Sequence, residues 1–527
     1  MRNRLTYCLA LMLLSGVSPL VAGPYGDDVT ISAPAKGLVG TKAAIVPVTA
    51  ANQVLKTISS QTLKPGYASP KLPAIAPKAT LDQVFNALNK NETDVMARVR
   101  FVAFNDDAWY TRWKMVSDAK QTIDCTYYIV DKDIFGQAYL GLLVKKAREG
   151  VKIRLMIDGR IYRSGYMKGM ADRFQELAAF PSVQIKIYNS VSKSLLHAFT
   201  EFTGLFASNH DKIIIADGKY SITGGRNIGP DYFAANGEYP CVYRDTDILV
   251  EGEYVASRMK MAFDAEWKSL RNSVVKPDWY NWTKQLDRLE IAQQVMDRYL
   301  RGRGVSDPAK TNLTKDQKAI LAELNAEVLK FRNISSLEGF ELFTNEPERP
   351  VKIIDKYSSL GKMNDITPCL VALIDAARTE VILQNPYVVL SDEAWHALRR
   401  ASARNVKIVF HTNSGASTDS LFPQAFLMND WKQMLADMPT CHIYVAPSAN
   451  ERLHSKTFVI DGKITVIGSY NLDPLSQDAN SEMVAVVNDE GFAQEVRTQI
   501  LEKDMAKVIE YAIRVGKDGK IEKVFGP

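Results

Sequence analysis

Two short stretches of this chain share the pattern HxK(x)4D, in which a histidine, a lysine and an aspartate recur at fixed spacing. The members are His210, Lys212 and Asp217 in the first stretch and His454, Lys456 and Asp461 in the second. Each stretch is followed, at the same distance, by a turn of small residues that ends in an asparagine, Asn227 or Asn471. Together they supply two imidazoles, two ammonium groups and two amides, a full set of groups for splitting a phosphodiester without a metal.

The apolar residues that follow each HxK predict a buried β-strand. Residues i and i+2 of a strand point to the same face, so His210 and Lys212 project together, as do His454 and Lys456. If the two halves fold face to face, all of these groups surround one phosphate. The lysines and asparagines would then stabilise its negative charge, and losing one such donor costs on the order of 100-fold in rate. One histidine can attack phosphorus, and the other can protonate the leaving oxygen and deprotonate the incoming alcohol or water.

The elements around the motifs are also duplicated. Ala119–Val130 parallels Ala377–Val388, and Gly150–Asp158 parallels the stretch that begins at Asn405. Strand, helix, strand and motif strand follow in the same order twice, which indicates an α/β sheet in each half. The period of roughly 245 residues is far too long for a solenoid and indicates a duplicated domain.

The region between the halves has helical spacing and no residues that suggest chemistry. Thr314 and Gln317 form a capping-box pattern at the start of one predicted helix. We therefore predict a helical connector.

The N-terminal segment resembles a secretory signal. Arg2 and Arg4 precede an apolar run that ends near Val17, and small residues follow as far as Gly23. This run is shorter than the roughly 20 residues that span a bilayer, so we expect a cleaved signal and not an anchor. The protein is then exported, to a bacterial periplasm or membrane surface or to the medium. Residues 24–80, rich in Pro, Ala, Gly, Ser and Thr, predict an extended arm.

The overall composition is that of a globular protein. The chain has 527 residues, 46% hydrophobic and 24% charged, with a net charge of +5. That charge is compatible with an anionic substrate or membrane but requires neither. Beyond Cys8, the chain has four cysteines at wide spacings that fix no disulfide pairing: Cys125, Cys241, Cys369 and Cys441. No CxxC pair is present, so we expect no zinc, and no other metal or cofactor.

The paired motif resembles the phospholipase D superfamily and, within it, the bacterial cardiolipin synthase branch. Matching stretches include Gly224–Gly229, Asp245–Asp247, Thr412–Asp419 and Gly468–Pro474. The resemblance covers roughly residues 85 to 270 and 350 to 500. It is highly specific for the superfamily and much less so for the substrate, because lipases, transferases and nucleases share the motif.

The resemblance implies a role for each motif residue. His210 would be the nucleophile that forms a phosphohistidine, and His454 the general acid and base. Phosphate would be held by four residues: Lys212, Lys456, Asn227 and Asn471. In each half, a carboxylate one strand after the motif would orient the histidine of the opposite half. Glu482 would orient His210. Asp245 would orient His454, with Asp247 as a close rival for this role. The motif aspartates, Asp217 and Asp461, would brace the structure without taking part in the chemistry.

The resemblance also implies the architecture. We expect two duplicated α/β/α sandwich halves with mixed sheets, related by a pseudo-twofold axis, with one active site at their interface and a helical connector. The expected divisions are a signal at 1–23, the arm at 24–80, the halves at 81–272 and 347–527, and the connector at 273–346. No partner protein is implied.

Two apolar segments bear on the substrate. Ser194–Ala207 precedes the first motif, where related enzymes usually carry basic residues, and a second apolar loop spans Leu421–Met428. Either segment simply packs on the core, or it enters a membrane or receives acyl chains. A phospholipid substrate at a membrane surface is therefore favoured over nucleic acid, which needs a charged groove. An exported phosphodiesterase and a membrane-binding protein that has only kept the fold are the alternatives. Of the other histidines, only His411, at a strand end near the predicted site, suggests more than a structural role.

Overall fold

The computed structural model describes residues 79–89, 96–159, 171–189, 207–277, 284–357, 363–515 and 521–525. The chain divides into two units, Met1–Ala68 and Ser69–Pro527, and all of the described residues belong to the second. The predicted signal, nearly all of the predicted arm, His197 and the apolar segment 194–206 lie outside the described residues.

The first half contains one mixed sheet. Its strands, with β7 placed apart from the sheet, are β1 (Met96–Val102), β2 (Thr122–Tyr127), β3 (Lys152–Asp158), β4 (Val183–Tyr188), β5 (Ile213–Ala216), β6 (Tyr220–Gly224), β7 (Val242–Arg244), β8 (Asp247–Glu251) and β9 (Ser273–Val274). The parallel strands lie in the order β4-β3-β2, and antiparallel β5, β6, β8 and β1 continue the sheet. Strand β9 pairs with the outer edge of β4. Buried strands such as β5 are apolar throughout because both faces of the sheet are covered.

The first half also contains helices. They are α1 (Leu81–Ala87), α2 (Asn105–Asp118), α3 (Ile134–Arg148), α4 (Ala171–Leu177), α5 (Pro230–Phe233) and α6 (Glu253–Trp267). Helix α3 makes the crossover between parallel β2 and β3. It begins after Asp133, whose carboxylate accepts from the backbone N–H groups of Phe135 and Gly136. Helix α1 packs into the core of the second half instead, through Val84 and Phe85.

The second half repeats this plan. Its strands are β10 (Glu348–Tyr357), β11 (Met363–Asn364), β12 (Glu380–Gln384), β13 (Lys407–Asn413), β14 (Cys441–Ala446), β15 (Glu451–Leu453), β16 (Thr457–Ile460), β17 (Ile464–Gly468), β18 (Glu482–Asn488), β19 (Ile509–Val515) and β20 (Ile521–Phe525). The order β14-β13-β12-β16-β17-β18-β10 matches that of the first half, with β14, β13 and β12 parallel. Strand β19 pairs with β14, and β20 with β19.

The helices of the second half follow the same order. They are α9 (Ile366–Ala376), α10 (Asp392–Ala403), α11 (Leu421–Asp437), α12 (Pro474–Asp478) and α13 (Glu490–Thr498), and a π-helical segment, Gln499–Asp504, continues α13. The duplicated mixed α/β architecture expected from the sequence is confirmed.

The two halves meet face to face. Strand β1 pairs with β10 through Met96–Arg98, and β7 pairs in parallel with β15. Between the sheets lies an apolar cluster to which both halves contribute, including Ile215 and Ile248 from the first and Ile353 and Val459 from the second. This shared core holds the ends of the motif strands at one interface.

Two helices link the halves, α7 (Lys284–Leu300) and α8 (Lys315–Val328). Thr314 caps α8 as predicted: its Oγ1 accepts from the Gln317 N–H, and Gln317 Oε1 accepts from the Thr314 N–H. Leu289 and Leu324 pack into the core of the first half.

The prediction of an apolar loop at Leu421–Met428 was wrong, because this segment forms the start of α11. Pro423 lies in the first turn, where a missing N–H breaks no helical hydrogen bond. Pro423 and Leu427 are buried at helical spacing, whereas Leu421 and Met428 are exposed. Within the described residues, no helix combines the length and apolar character needed to cross a bilayer.

The four cysteines at Cys125, Cys241, Cys369 and Cys441 are buried and free, so none forms a disulfide with another.

Candidate active site

The first motif histidine is held by the second half of the molecule. His210 lies just before β5, and its backbone N–H donates to the Ser481 carbonyl at 3.1 Å. Its Nδ1 lies 3.1 Å from both carboxylate oxygens of Glu482. An ionised carboxylate only accepts, so the ring proton belongs on Nδ1 and the lone pair on Nε2.

The second motif histidine is held in the same way by the first half. The backbone N–H of His454 donates to the Arg244 carbonyl at 2.8 Å, and its Nδ1 lies 2.6 Å from Asp245 Oδ2. The proton again belongs on Nδ1, which leaves the His454 Nε2 lone pair available. The structure therefore brings each predicted carboxylate beside the histidine of the opposite half.

Asp247, the rival of Asp245, has a different environment. Its Oδ2 accepts from Arg112 Nη1 and from Arg226 Nη1, both at 2.9 Å. All three side chains are fully buried. Asp247 thus accepts hydrogen bonds from two guanidinium groups inside the first half, which favours Asp245 as the partner of His454.

The two motif lysines lie close to their own histidines. Lys212 Nζ donates to the His210 carbonyl at 2.6 Å, and Lys456 Nζ donates to the carbonyl of His454. Burial lowers the pKa of Lys212 to about 7 and that of Lys456 to about 8, against the opposing attraction of Glu482 and Asp245 respectively. The charge of Lys456 lowers the pKa of Lys212 further, which places the lysines of the two halves in one electrostatic environment.

The histidines are also shifted. Burial lowers the pKa of His210 to about 4, although the charge of Glu482 opposes the change. Burial and then the charge of Lys456 lower the pKa of His454. Both imidazoles are therefore neutral in the ligand-free protein at neutral pH, a state in which Nε2 is nucleophilic.

The two asparagines differ in their contacts. Asn227 Oδ1 accepts from the Ile129 N–H at 3.0 Å, and its Nδ2 donates to the Tyr232 hydroxyl at 2.9 Å. One hydrogen of that amide remains for a ligand. Asn471 Oδ1 is buried and has no hydrogen-bond partner in the described part of the chain.

The motif aspartates lie at the far ends of the strands. Asp217 adopts a positive φ of 54° and accepts from the backbone N–H groups of Lys120, Gln121 and Thr122. Asp461, with a φ of 51°, accepts from the N–H groups of the corresponding segment of the second half. Each carboxylate ties the start of the neighbouring strand, β2 or β12, to the end of the motif strand.

Glu482 has further donors that the sequence did not reveal. Ser469 Oγ donates to Oε2 at 2.6 Å and Ser476 Oγ to Oε1 at 2.7 Å. Ser469 takes the place of Gly225 in the first half. At Gly225, an added Cβ would lie 2.1 Å from Asp245 Oδ1, so only glycine fits beside that carboxylate. The small residues before each asparagine are thus explained by the carboxylates that they contact.

Aromatic rings lie beside both histidines, and no sequence pattern indicated them because they come from separate elements. The ring of Tyr128 lies 5.2 Å from that of His210, and Tyr243 lies 5.0 Å from that of His454. The hydroxyls of Tyr243 and Tyr387 donate to Asp419 at 3.2 and 2.7 Å. The site thus has aromatic walls and a carboxylate at one side.

The remaining described histidines lie outside this group. His396 is exposed, and the His442 side chain, 40% exposed, pairs with Glu510 at 2.9 Å. His411 is buried, and its Nδ1 lies 3.1 Å from Gln384 Nε2.

This chain is similar to several known proteins. The family described as "Cardiolipin synthase, PLD-like domain" matches residues 113–267 and 370–505. The chain is 25% identical over 445 residues to cardiolipin synthase C of Escherichia coli (strain K12), covering 79% of this chain and 86% of that protein. It is 24% identical over 416 residues to cardiolipin synthase A of Pseudomonas aeruginosa (strain LESB58), covering 79% and 68%. The crystal structure of phosphatidylserine synthase from Haemophilus influenzae Rd KW20 has the same fold, with a TM-score of 0.55 at 12% identity, covering 81% of this chain and 92% of that one.

Proposed function

Because this chain belongs to the phospholipase D superfamily, in the family of cardiolipin synthase-like domains, we propose that it transfers the phosphatidyl group of a glycerophospholipid through a covalent phosphohistidine. The acceptor is an alcohol, as in cardiolipin synthesis or headgroup exchange, or water. The reaction needs no metal. The crossed pairing of His210 with Glu482 and of His454 with Asp245 is the observation that supports this mechanism best.

In the first step, the Nε2 lone pair of His210 attacks phosphorus. A P–N bond forms and the bond from phosphorus to the headgroup oxygen breaks. His454, protonated on Nε2 once substrate is bound, gives that proton to the leaving oxygen. Glu482 and Asp245 hold the two rings with Nδ1–H pointed away from the phosphate, so each Nε2 faces the reacting atoms.

In the second step, His454 removes the proton of the incoming hydroxyl, whose oxygen attacks phosphorus. The P–N bond breaks and His210 is regenerated. Lys212, Lys456 and the free amide hydrogens of the asparagines stabilise charge on the non-bridging oxygens. Preorganised donors of this kind are usually the largest contribution to rate.

An exposed apolar face supports a lipid substrate. It lies on the first turns of α11, where Leu421 and Met428 are exposed and Phe422 and Phe426 are partly so. Asp419, just before this helix, accepts from Tyr243, whose ring contacts His454. We propose that this face enters the interfacial layer of a membrane and brings the site to its substrate. Export to that membrane, directed by the N-terminal signal, is part of the same proposal.

The nuclease alternative fits these surroundings less well. A nucleic-acid strand requires a cationic path for its phosphates. Here, the rings that contact His454 are those of Tyr232 and Tyr243, and the Tyr243 hydroxyl donates to the carboxylate of Asp419. The third alternative, binding without catalysis, would give no reason for two intact motifs.

One experiment separates these functions. Purified full-length protein is incubated with phosphatidylglycerol in mixed micelles, or with phosphatidylethanolamine and an alcohol, and the lipid products are identified by mass spectrometry. A parallel reaction contains single-stranded DNA, and each is repeated with a chelator. We expect new phosphatidyl products, slow or no cleavage of DNA and no effect of the chelator. Faster cleavage of DNA than of lipid would overturn the lipid assignment, and inhibition reversed by added metal would overturn the mechanism.

A further inference from the structure

A second cavity lies between the two halves, beside the catalytic groups. Its volume is about 570 Å³, and its lining includes Phe104 and Arg244 from the first half and His411, Lys507 and Asp504 from the second. Tyr243 and Leu453 form a wall shared with the active site, since Tyr243 contacts His454 and Leu453 precedes it. Neither motif histidine is among the lining residues, so this cavity is distinct from the site that contains them.

His411 presents a buried hydrogen-bond donor at this cavity. The side chain is 2% exposed, and its Nε2 has no hydrogen-bond partner among the residues that the structure describes. Gln384 Nε2 donates to Asp504 Oδ2 at 2.8 Å, and this contact fixes the orientation of the amide because its oxygen would repel the carboxylate. The same Nε2 lies 3.1 Å from His411 Nδ1, which must therefore accept. The proton of a neutral His411 ring is then on Nε2.

Arg244 presents a second donor. Its Nε donates to Asp504 Oδ1 at 2.6 Å and its Nη1 to the Asp245 carbonyl at 2.8 Å. Its Nη2 is buried and has no partner within the described part of the chain. A neutral and a cationic donor are thus left without acceptors at one cavity, within the part of the chain that the structure describes.

The rim of the cavity has both charges and apolar surface. Lys503 and Lys507 lie on one segment of the lining, and Asp106 and Glu451 are also present. Exposed apolar surface adjoins them at Phe104, 61% exposed. His411 Nε2 and Arg244 Nη2 favour a ligand that is rich in hydrogen-bond acceptors. The exposed apolar surface at Phe104 suits a carbon chain attached to that ligand.

The first half has no equivalent of the His411 donor. In the second half, Gln384 on β12 pairs with His411 on β13. The equivalent pair in the first half is Thr126 on β2 with Met156 on β3, so a methionine occupies the position that corresponds to His411. The donor is therefore a feature of one half only, and not a requirement of the duplicated fold.

We propose that this cavity binds the phosphate group of a second organic phosphate, with His411 Nε2–H and Arg244 Nη2 donating to its oxygens. The ligand is either a soluble glycerol phosphate or the headgroup of a second phospholipid. This binding does not depend on the catalytic proposal, because the residues differ.

The test measures binding to full-length His210→Ala protein, in which ligands are not consumed. The probes are inorganic phosphate, glycerol 1-phosphate and dihexanoyl-phosphatidylglycerol below its micellar concentration, each titrated calorimetrically. We expect two phosphate-binding sites per chain, one of them weakened at least tenfold when His411→Met is added. The matched control His442→Gln, on a partly exposed histidine away from the cavity, should leave both sites unchanged.

The probes also identify the source of the ligand. Binding of the short-chain lipid at least tenfold tighter than that of glycerol 1-phosphate, lost on His411→Met, assigns a lipid headgroup, whereas equal affinities assign a soluble phosphate. If His411→Met fails to fold, Lys507→Ala at the exposed rim serves instead and should weaken the same site two- to fivefold. A single site, or two sites that neither variant alters, would overturn the proposal.

Discussion

Nδ1 of His210 lies 3.1 Å from both carboxylate oxygens of Glu482, a residue 272 positions later in the chain. The reciprocal contact, His454 with Asp245 at 2.6 Å, spans 209 positions. Each histidine therefore takes its orientation from the half that it does not belong to, and the interface between the halves is part of the proposed catalytic site.

Replacement of His210, the proposed nucleophile, tests the mechanism directly. His210→Ala should lower lipid turnover by on the order of 1,000-fold or more, since the covalent route is lost. The fold should persist, with thermal unfolding close to that of the wild type. The matched control is His442→Ala, on a partly exposed histidine, which should retain full activity. Wild-type turnover in the His210 variant would refute the assignment.

Asp245→Asn should lower kcat by about 100- to 10,000-fold, because an amide no longer fixes the proton on Nδ1 of His454. Substrate affinity should change little, so the loss should appear in kcat and not in KM. Asp118→Asn, at an exposed aspartate, is the control. Equal losses in both variants would show that the effect is not specific to the pair.

Asp247→Ala, in contrast to Asp245→Asn, should lower the stability of the fold. It removes the shared partner of two buried guanidinium groups, Arg112 and Arg226, and breaking such a pair costs about 3–5 kcal/mol. Chemical denaturation of the variant should show this loss in the free energy of unfolding. If Asp247→Ala remained as stable as the wild type and lost only activity, the two aspartates would have to exchange roles.

The lowered pKa values of the two motif lysines predict that activity falls at alkaline pH. In the ligand-free protein, the pKa of Lys212 is about 7 and that of Lys456 about 8. A lysine donates a full charge to phosphate only below its pKa, so kcat/KM should fall as the pH rises through 7 to 8. His210, with a pKa of about 4, should limit activity only in acid. In the Lys212→Arg variant, the guanidinium stays charged throughout this range, so the alkaline fall in kcat/KM should move to higher pH. If the fall does not move, it reports the titration of another group.

Gly225→Ala should disrupt the site by steric contact alone. The added Cβ would lie 2.1 Å from Asp245 Oδ1, which must then move away from His454. Activity should fall by at least tenfold. Gly415→Ala is the matched control, since nothing lies within 4 Å of a Cβ there and its activity should not change.

The sequence was most informative where the duplication repeats a pattern. The motif residues and the strands that precede them recur at the same spacing in both halves. This repeat predicts that the two motifs occupy equivalent positions in the two halves. The placement of Asp245 and Glu482 beside opposite histidines came from the family resemblance, and the contacts agree with it.

What the sequence did not reveal depends on contacts between distant elements. Arg112, on α2, reaches Asp247 across 135 positions, and no local pattern signals that pair. The tyrosines around His454 come from separate segments for the same reason. The segment from Leu421 to Met428 forms a helix and not the predicted loop, and Pro423 is compatible with this because proline is tolerated in the first turn of a helix.

The exchange of carboxylates across the interface has an evolutionary consequence. After a duplication, one copy is normally free to decay or to acquire a new role while the other keeps the old one. Here, a change at Glu482 removes the carboxylate that contacts an imidazole of the first copy, and a change at Asp245 removes the one that contacts an imidazole of the second. On the proposed mechanism, selection acts on both copies as a single heritable unit, and neither can become a mere binding module while the other goes on working.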